Sequence, residues 1–111
     1  MAGGDDSLQA ISVRLDGKNY SYWSYVMKNF LKGKQMWGYI SGVIVAPEAA
    51  NVELMEKWDT NNSKIITWIN NSVENKIGMQ LAKYDTAKQV WETGTIWSDF
   101  LCALTLPFNI N

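Results

Sequence analysis

Residues 15–23, LDGKNYSYW, and the eight residues after them, SYVMKNFL, contain the clearest structural signals in the chain. Asp-Gly within this stretch is one of the strongest short-range turn signals. From Tyr20 onward, apolar residues recur at intervals of three and four, the spacing of one helix face; they are Tyr20, Trp23, Met27, Phe30 and Leu31. The stretch therefore predicts a turn that leads into an amphipathic helix, capped by Asn19 or Ser21 and ended by Gly33.

The segment before the turn has a strand-like pattern. Ile11, Val13 and Leu15 alternate with polar residues, which places them on one side of an extended chain. Five residues cannot form a sheet alone. We therefore expect an extended N-terminal arm that lies across a helix, with residues 1–12 as a flexible N-terminus.

Three further helices are predicted after the first. A short helix covers Met36 to Ile40, and a loop follows over residues 42–51. The longest helical pattern runs from Glu53 to Gln80, with Asn61–Asn62 as its weak point because asparagine is a modest helix former. A last helix begins at Asp85, a residue type suited to cap it. The sequence thus predicts a small all-α domain of about four helices with an extended N-terminal arm.

Composition sets the size of the protein and excludes several kinds of chemistry. The chain has 111 residues, 47% of them hydrophobic and 19% charged, as expected for one small folded domain. It contains six Trp, one Cys and no His, so neither a Cys/His zinc site nor a His general base can be built. The formal net charge is -1, which lacks the basic excess of a dedicated nucleic-acid-binding protein.

Residues suited to catalysis do not form a familiar constellation. Glu53, Glu56 and Asp59 lie at the start of the long helix, where acids stabilise the helix dipole. Cys102 has no His partner and lies in an apolar run, where a thiol stays protonated. We therefore predict a protein that is not an enzyme and that uses no cofactor, metal ion or small-molecule substrate.

Targeting and membrane signals are also not recognised in the sequence. The start, MAGGDDSLQA, has neither the basic nor the apolar region of a signal peptide. No run approaches the roughly 18 apolar residues of a membrane span. A lone cysteine fits a reducing compartment. We therefore expect a cytoplasmic protein without a membrane partner.

Basic and aromatic residues are interleaved around the first helix. Tyr22 and Tyr25 lie near four lysines: Lys18, Lys28, Lys32 and Lys34. Such a pattern can hold single-stranded nucleic acid, and a solvated charged face is the alternative interpretation. Tryptophans at helical spacing favour a core role instead; they include Trp23, Trp58 and Trp68.

Four motifs, in order along the chain, resemble one family. The first is residues 15–23, of the form L-x-G-x-N-Y-x-x-W. It is followed by MWGYISG at 36–42, by Trp58 with NNSKIITWI at 61–69, and by DTAKQVWE at 85–92. Together they resemble the N-terminal part of the Gag polyprotein of copia-type LTR retrotransposons, especially those of plants.

This resemblance implies a helical, capsid-like domain over residues 13–92 and a non-enzymatic role. Such Gag segments self-associate into the shell that packages element RNA, so the implied partners are copies of this chain, other Gag chains and RNA. The motif and core residues that it implies are Leu15, Gly17, Asn19, Tyr20, Trp23, Trp37, Trp58, Trp68, Val90 and Trp91. A nucleic-acid-binding module that uses Lys18, Lys28, Lys32 and Lys34 is the alternative function.

The sequence departs from the family pattern after Trp91. Thr93 and Gly94 interrupt the helical spacing, and residues 93–111 form a divergent apolar tail. Either a helix survives Gly94 and buries Trp97 or Ile96, or the tail exposes its apolar side chains and promotes association. This departure leads us to expect either a truncated or degenerate element, or a gene model that runs into unrelated sequence near Glu92. Genomic sequence downstream of codon 92 tests this hypothesis.

Overall fold

The computed structural model describes residues 11–94. Four helices have described bounds: α1 at Tyr20–Gly33, α2 at Trp37–Ser41, α3 at Val52–Asn70 and α4 at Asn75–Leu81. A further helix, α5, is described over residues 87–94. Residues 11–94 contain no strand longer than a single bridge. The prediction of an all-α domain is confirmed.

The N-terminal arm lies across the junction between α3 and α4. Leu15 forms a parallel bridge with Val73. Its N–H donates to the Ser72 carbonyl at 2.8 Å, and its carbonyl accepts from the Glu74 N–H at 2.9 Å. The expected alternation also holds: Leu15 is buried, Ile11 and Val13 are half-buried, and the intervening side chains are exposed.

The predicted long helix over residues 53–80 is two helices, which corrects the estimate of about four helices. Helix α3 ends at Asn70, and α4 begins at Asn75. Between them the chain leaves the helical path, and Ser72 and Glu74 use their backbone groups to bond with the arm. The interruption is therefore a tertiary effect, because a long-range partner replaces the helical hydrogen bonds.

Helix α3 continues without interruption through Asn61 and Asn62, the weak point of the predicted helix. Asn62 is instead buried, with 3% of its surface exposed. Its amide Nδ2 donates to the Asp85 carbonyl at 2.8 Å, and its Oδ1 accepts from the Ala87 N–H at 2.7 Å. One side chain thus joins the middle of α3 to the start of α5.

Helix α1 ends at Gly33, as the sequence predicts, but a glycine does not supply the left-handed residue of its C-terminal cap. Helix α1 ends in a Schellman-type pattern, with bonds from Gln35 N–H to Lys32 O and from Met36 N–H to Leu31 O. The left-handed residue there is Gln35, at a φ of 62°, and not Gly33. Helix α5 is described up to Gly94, which is buried, so its last described turn includes Thr93 and Gly94.

The start of α5 is one residue later than predicted. Thr86 Oγ1 accepts from the Gln89 N–H at 3.1 Å, and Gln89 Oε1 accepts from the Thr86 N–H at 3.3 Å. This reciprocal pair is a capping box. Thr86, and not Asp85, is therefore the cap. The remainder of the predicted tail, with Trp97 and Cys102, lies outside the described residues.

One hydrophobic core joins the arm to all five helices. Its buried members are Leu15, Trp23, Met27, Leu31, Ile40, Ile65, Trp68, Ile69, Val73, Ile77, Leu81, Ala87 and Val90. The first half of α3 contributes none of them. That half, with the loop before it, extends beyond the core and is largely exposed.

Candidate interaction surfaces

The first family motif begins as a tight, internally bonded turn. Gly17 has a φ of 90°, a left-handed conformation that favours glycine. Asn19 closes the turn: its Oδ1 accepts from the Asp16 N–H at 3.0 Å, and its Nδ2 donates to the Arg14 carbonyl at 2.9 Å. Asn19 therefore orients the arm, and its side chain makes no capping bond to α1.

Trp23 connects this turn to the α3–α4 junction. Its side chain is 3% exposed, and its indole N–H donates to the Ser72 carbonyl at 2.9 Å. The same carbonyl accepts the Leu15 N–H, so the arm and α1 are held by one oxygen. We call Leu15, Trp23 and Ser72 the anchor. Tyr20 lies beside it, with its ring centroid 6.2 Å from that of Trp23.

An aromatic row extends from the anchor to α2 and α5. Trp91 stacks on Trp23, with ring centroids 5.5 Å apart. Trp37 meets Trp91 edge-on at 5.2 Å, and the Lys28 ammonium lies 5.0 Å from the Trp37 ring centroid. Val90, next to Trp91, is buried. Four family-motif residues from three helices therefore pack together.

The remaining motif tryptophans occupy two different settings on α3. Trp68 is buried and meets Phe30 edge-on at 5.0 Å. Trp58 is half-buried against Tyr39, with ring centroids 6.2 Å apart. Its indole nitrogen is buried without a hydrogen-bond partner among the described residues.

The four lysines of the alternative function do not all point into open solvent. The Lys28 ammonium rests on Trp37 of α2. The Lys34 ammonium lies 5.6 Å from the Phe30 ring centroid and 6.0 Å from that of Trp68. Lys18 and Lys32 are exposed. Two aromatic side chains of α1 are exposed as well, Tyr22 at 61% and Tyr25 at 66%.

Exposed apolar side chains lie in the loop after α2 and at the start of α3; this exposed apolar surface was not predicted. Val43 is 82% exposed, Val45 is 70% and Val52 is 64%. Ile44 and Leu54 are also exposed. The available signal was the run Val43-Ile44-Val45, which is unusually apolar for a segment assigned to a loop.

An acidic hollow adjoins this surface on the first half of α3. Its lining residues are Ala49, Val52, Met55, Glu56 and Asp59. Small and apolar side chains thus line it together with two exposed carboxylates. Within the described residues, no lysine lies within ion-pair distance of either carboxylate.

The described part of the chain offers no group of three or more His, Cys, Asp or Glu that could hold a metal ion. None of its helices is long and apolar enough to cross a membrane. The geometry defines a small helical domain in which the family-motif residues are used largely for packing, and in which two chemically different surfaces remain exposed.

Residues 4–48 match the family described as Gag-polypeptide of LTR copia-type. The predicted resemblance is confirmed over this segment, which is similar to the N-terminal region of copia-type Gag. The match includes the motifs at 15–23 and 36–42 and ends before those at 61–69 and 85–92. No curated protein and no solved structure matched the chain. Copia-type Gag is a structural, non-enzymatic region of a polyprotein.

Proposed function

We propose that this chain is a non-enzymatic Gag-type structural module whose role is to associate with copies of itself and with other Gag chains. The family match over residues 4–48 carries this proposal. In the element from which it derives, such association builds the particle that packages element RNA. The module acts in the cytoplasm and uses no cofactor, metal ion or small-molecule substrate.

The use of the motif residues supports a structural role. Leu15 and Trp23 are buried in the anchor, and Trp91 and Trp37 continue the packing. The exposed apolar side chains of Val43–Val45, Val52 and Leu54 support association, because exposed apolar side chains often mark protein interfaces when they lie together.

Sedimentation velocity of the full chain, from low to high micromolar concentration, tests the proposal. We expect the weight-average sedimentation coefficient to rise reversibly with concentration. The variant Met79→Ser is a control for the loss of an exposed apolar side chain elsewhere, because Met79 on α4 is 74% exposed and lies outside the exposed apolar surface. We expect its sedimentation coefficient to depend on concentration as that of the parent chain does. A strict monomer throughout the range would contradict the proposed function.

The second candidate function is nucleic-acid binding by Lys18, Lys28, Lys32 and Lys34. Its supporting observation is that Tyr22 and Tyr25 are exposed on the helix that carries Lys28 and Lys32, an arrangement suited to base stacking beside phosphates. This function requires an affinity for RNA that falls steeply as salt rises. It also requires that the double variant Lys28→Glu/Lys32→Glu no longer binds RNA. This candidate is rejected if RNA binding by the parent chain does not depend on salt, or if the double variant binds RNA as well as the parent does.

A further inference from the structure

Two exposed surfaces of this chain are complementary in charge and in the kind of side chain that each presents. The first is the acidic hollow, where Val52 and Met55 lie beside the carboxylates of Glu56 and Asp59. The second is a tyrosine–lysine face, formed by Tyr22, Tyr25 and Lys32 of α1 and by Lys18 in the preceding turn. These surfaces belong to different elements of one molecule.

Helical spacing places the α1 residues of this face together. The spacing is three residues from Tyr22 to Tyr25 and seven from Tyr25 to Lys32, which brings the three side chains to one side of α1. Helix α1 has no acidic residue, so its exposed side carries only positive charge. Asp16 is the nearest acidic residue to Lys18 in sequence, and its Oδ1 accepts the Lys18 backbone N–H.

The acidic hollow has the opposite character. Glu48 and Glu53 are exposed near Glu56 and Asp59 in the sequence, and Lys57 is the one basic residue among them. Small and apolar side chains line the hollow beside its carboxylates. Such a hollow suits an aromatic side chain with an ammonium group near it, because the ring covers the apolar atoms while the ammonium reaches a carboxylate.

We propose that the acidic hollow of one copy binds the tyrosine–lysine face of a second copy, head to tail. The inference rests on the proposed self-association and specifies its surfaces. Tyrosines are favoured at the centres of protein interfaces, and complementary charge selects the partner and its orientation. Because a dimer formed in this way keeps one unused hollow on one copy and one unused tyrosine–lysine face on the other, the contact propagates into rings or filaments and does not stop at a dimer.

Paired charge reversals test this arrangement in the full chain. One variant carries Lys18→Glu and Lys32→Glu, which makes both surfaces negative. The other carries Glu56→Lys and Asp59→Lys, which makes both positive. These side chains are exposed, and none of the four forms a described ion pair, so both variants should fold, with a helical circular dichroism spectrum like that of the parent chain. Lys76→Glu with Lys83→Glu, two exposed lysines outside both surfaces, is the matched control.

Sedimentation is then measured for each variant and for an equal mixture. Each variant alone should associate at least about tenfold more weakly than the parent chain, and the control should associate like the parent. The mixture should recover association, because its unlike surfaces attract again. Association of the parent should weaken as salt rises. Loss of association in both variants, together with recovery in the mixture, is the result expected of the head-to-tail contact.

Other outcomes overturn the inference in distinguishable ways. If both variants associate like the parent, the proposed function survives and these surfaces are not used. If only the Glu56→Lys/Asp59→Lys variant loses association, the acidic hollow pairs with itself. If only the Lys18→Glu/Lys32→Glu variant loses association, the tyrosine–lysine face pairs with itself. Association that requires added RNA assigns the lysines to nucleic acid. A monomeric parent chain rejects both the inference and the proposed function.

Discussion

Trp23→Ala is expected to lower the free energy of unfolding by about 3–5 kcal/mol, the usual cost of removing a buried tryptophan side chain. The substitution empties the centre of the anchor: it removes the stack on Trp91 and the hydrogen bond to the Ser72 carbonyl. Because a small domain has only about 5–15 kcal/mol of stability, a large fraction of the variant should be unfolded. Urea denaturation followed by circular dichroism measures the effect.

Two further variants separate the contributions within this prediction. Trp23→Phe keeps an aromatic ring and removes the N–H donor, so we expect a smaller loss of about 1–2 kcal/mol. Tyr22→Ala, at an exposed position of the same helix, should change stability by less than about 0.5 kcal/mol. Equal stability of Trp23→Ala and Tyr22→Ala would show that Trp23 does not anchor the fold.

Asn62→Ala has the second-largest expected effect, about 2–4 kcal/mol of lost stability. The variant leaves the Ala87 N–H and the Asp85 carbonyl without their partner. An unpaired buried polar group loses its solvation without compensation, so α5 should also loosen from α3. The urea midpoint measures the global loss, and amide exchange in α5 measures the local one.

Asn61→Ala is the matched control for that substitution. Asn61 donates to the Tyr39 hydroxyl at 3.0 Å in a part-buried setting, and no backbone group depends on it in the described structure. We expect its loss to cost about 1 kcal/mol or less. The account of Asn62 as the joint between α3 and α5 is rejected if the two variants are equally stable.

The local signals in the sequence predict most of the helices and the arm. Asp16-Gly17 and the spacing from Tyr20 onward predict the turn and α1, because both depend on neighbouring residues. The break after Asn70 has no such signal, since residues 71–74 contain neither Gly nor Pro. Only the approach of Leu15, distant in the chain, explains it.

The role of Asn62 could have been inferred from its position. It lies on the helix face that also carries Trp58, Ile65 and Ile69, so a polar residue there must find a buried partner. Its low helix propensity suggests a bend instead, and the two arguments compete. The structure shows that tertiary hydrogen bonding overrides propensity at this position.

The exposed surfaces are less predictable than the core. A pattern of apolar residues shows which side chains can be buried, but not whether another element covers them. Val52 and Leu54 of α3 are exposed, because no element within residues 11–94 covers them. The lysines show that helical spacing also does not predict which exposed side chains another helix will contact. Lys28 and Lys32 are four residues apart on one helix, yet only Lys28 rests on an aromatic ring, because α2 brings Trp37 beside it.

The central claim is that the copia-type Gag motif at residues 15–23 is a packing device that joins the arm and α1 to the α3–α4 junction. Native-state amide hydrogen exchange at Leu15 and Glu74 tests it most directly, because these two N–H groups form the backbone bonds of that joint. We expect both amides to be protected to near the global stability of the domain, whereas the exposed Ser12 exchanges freely. Exchange at Leu15 as fast as at Ser12 would contradict the claim.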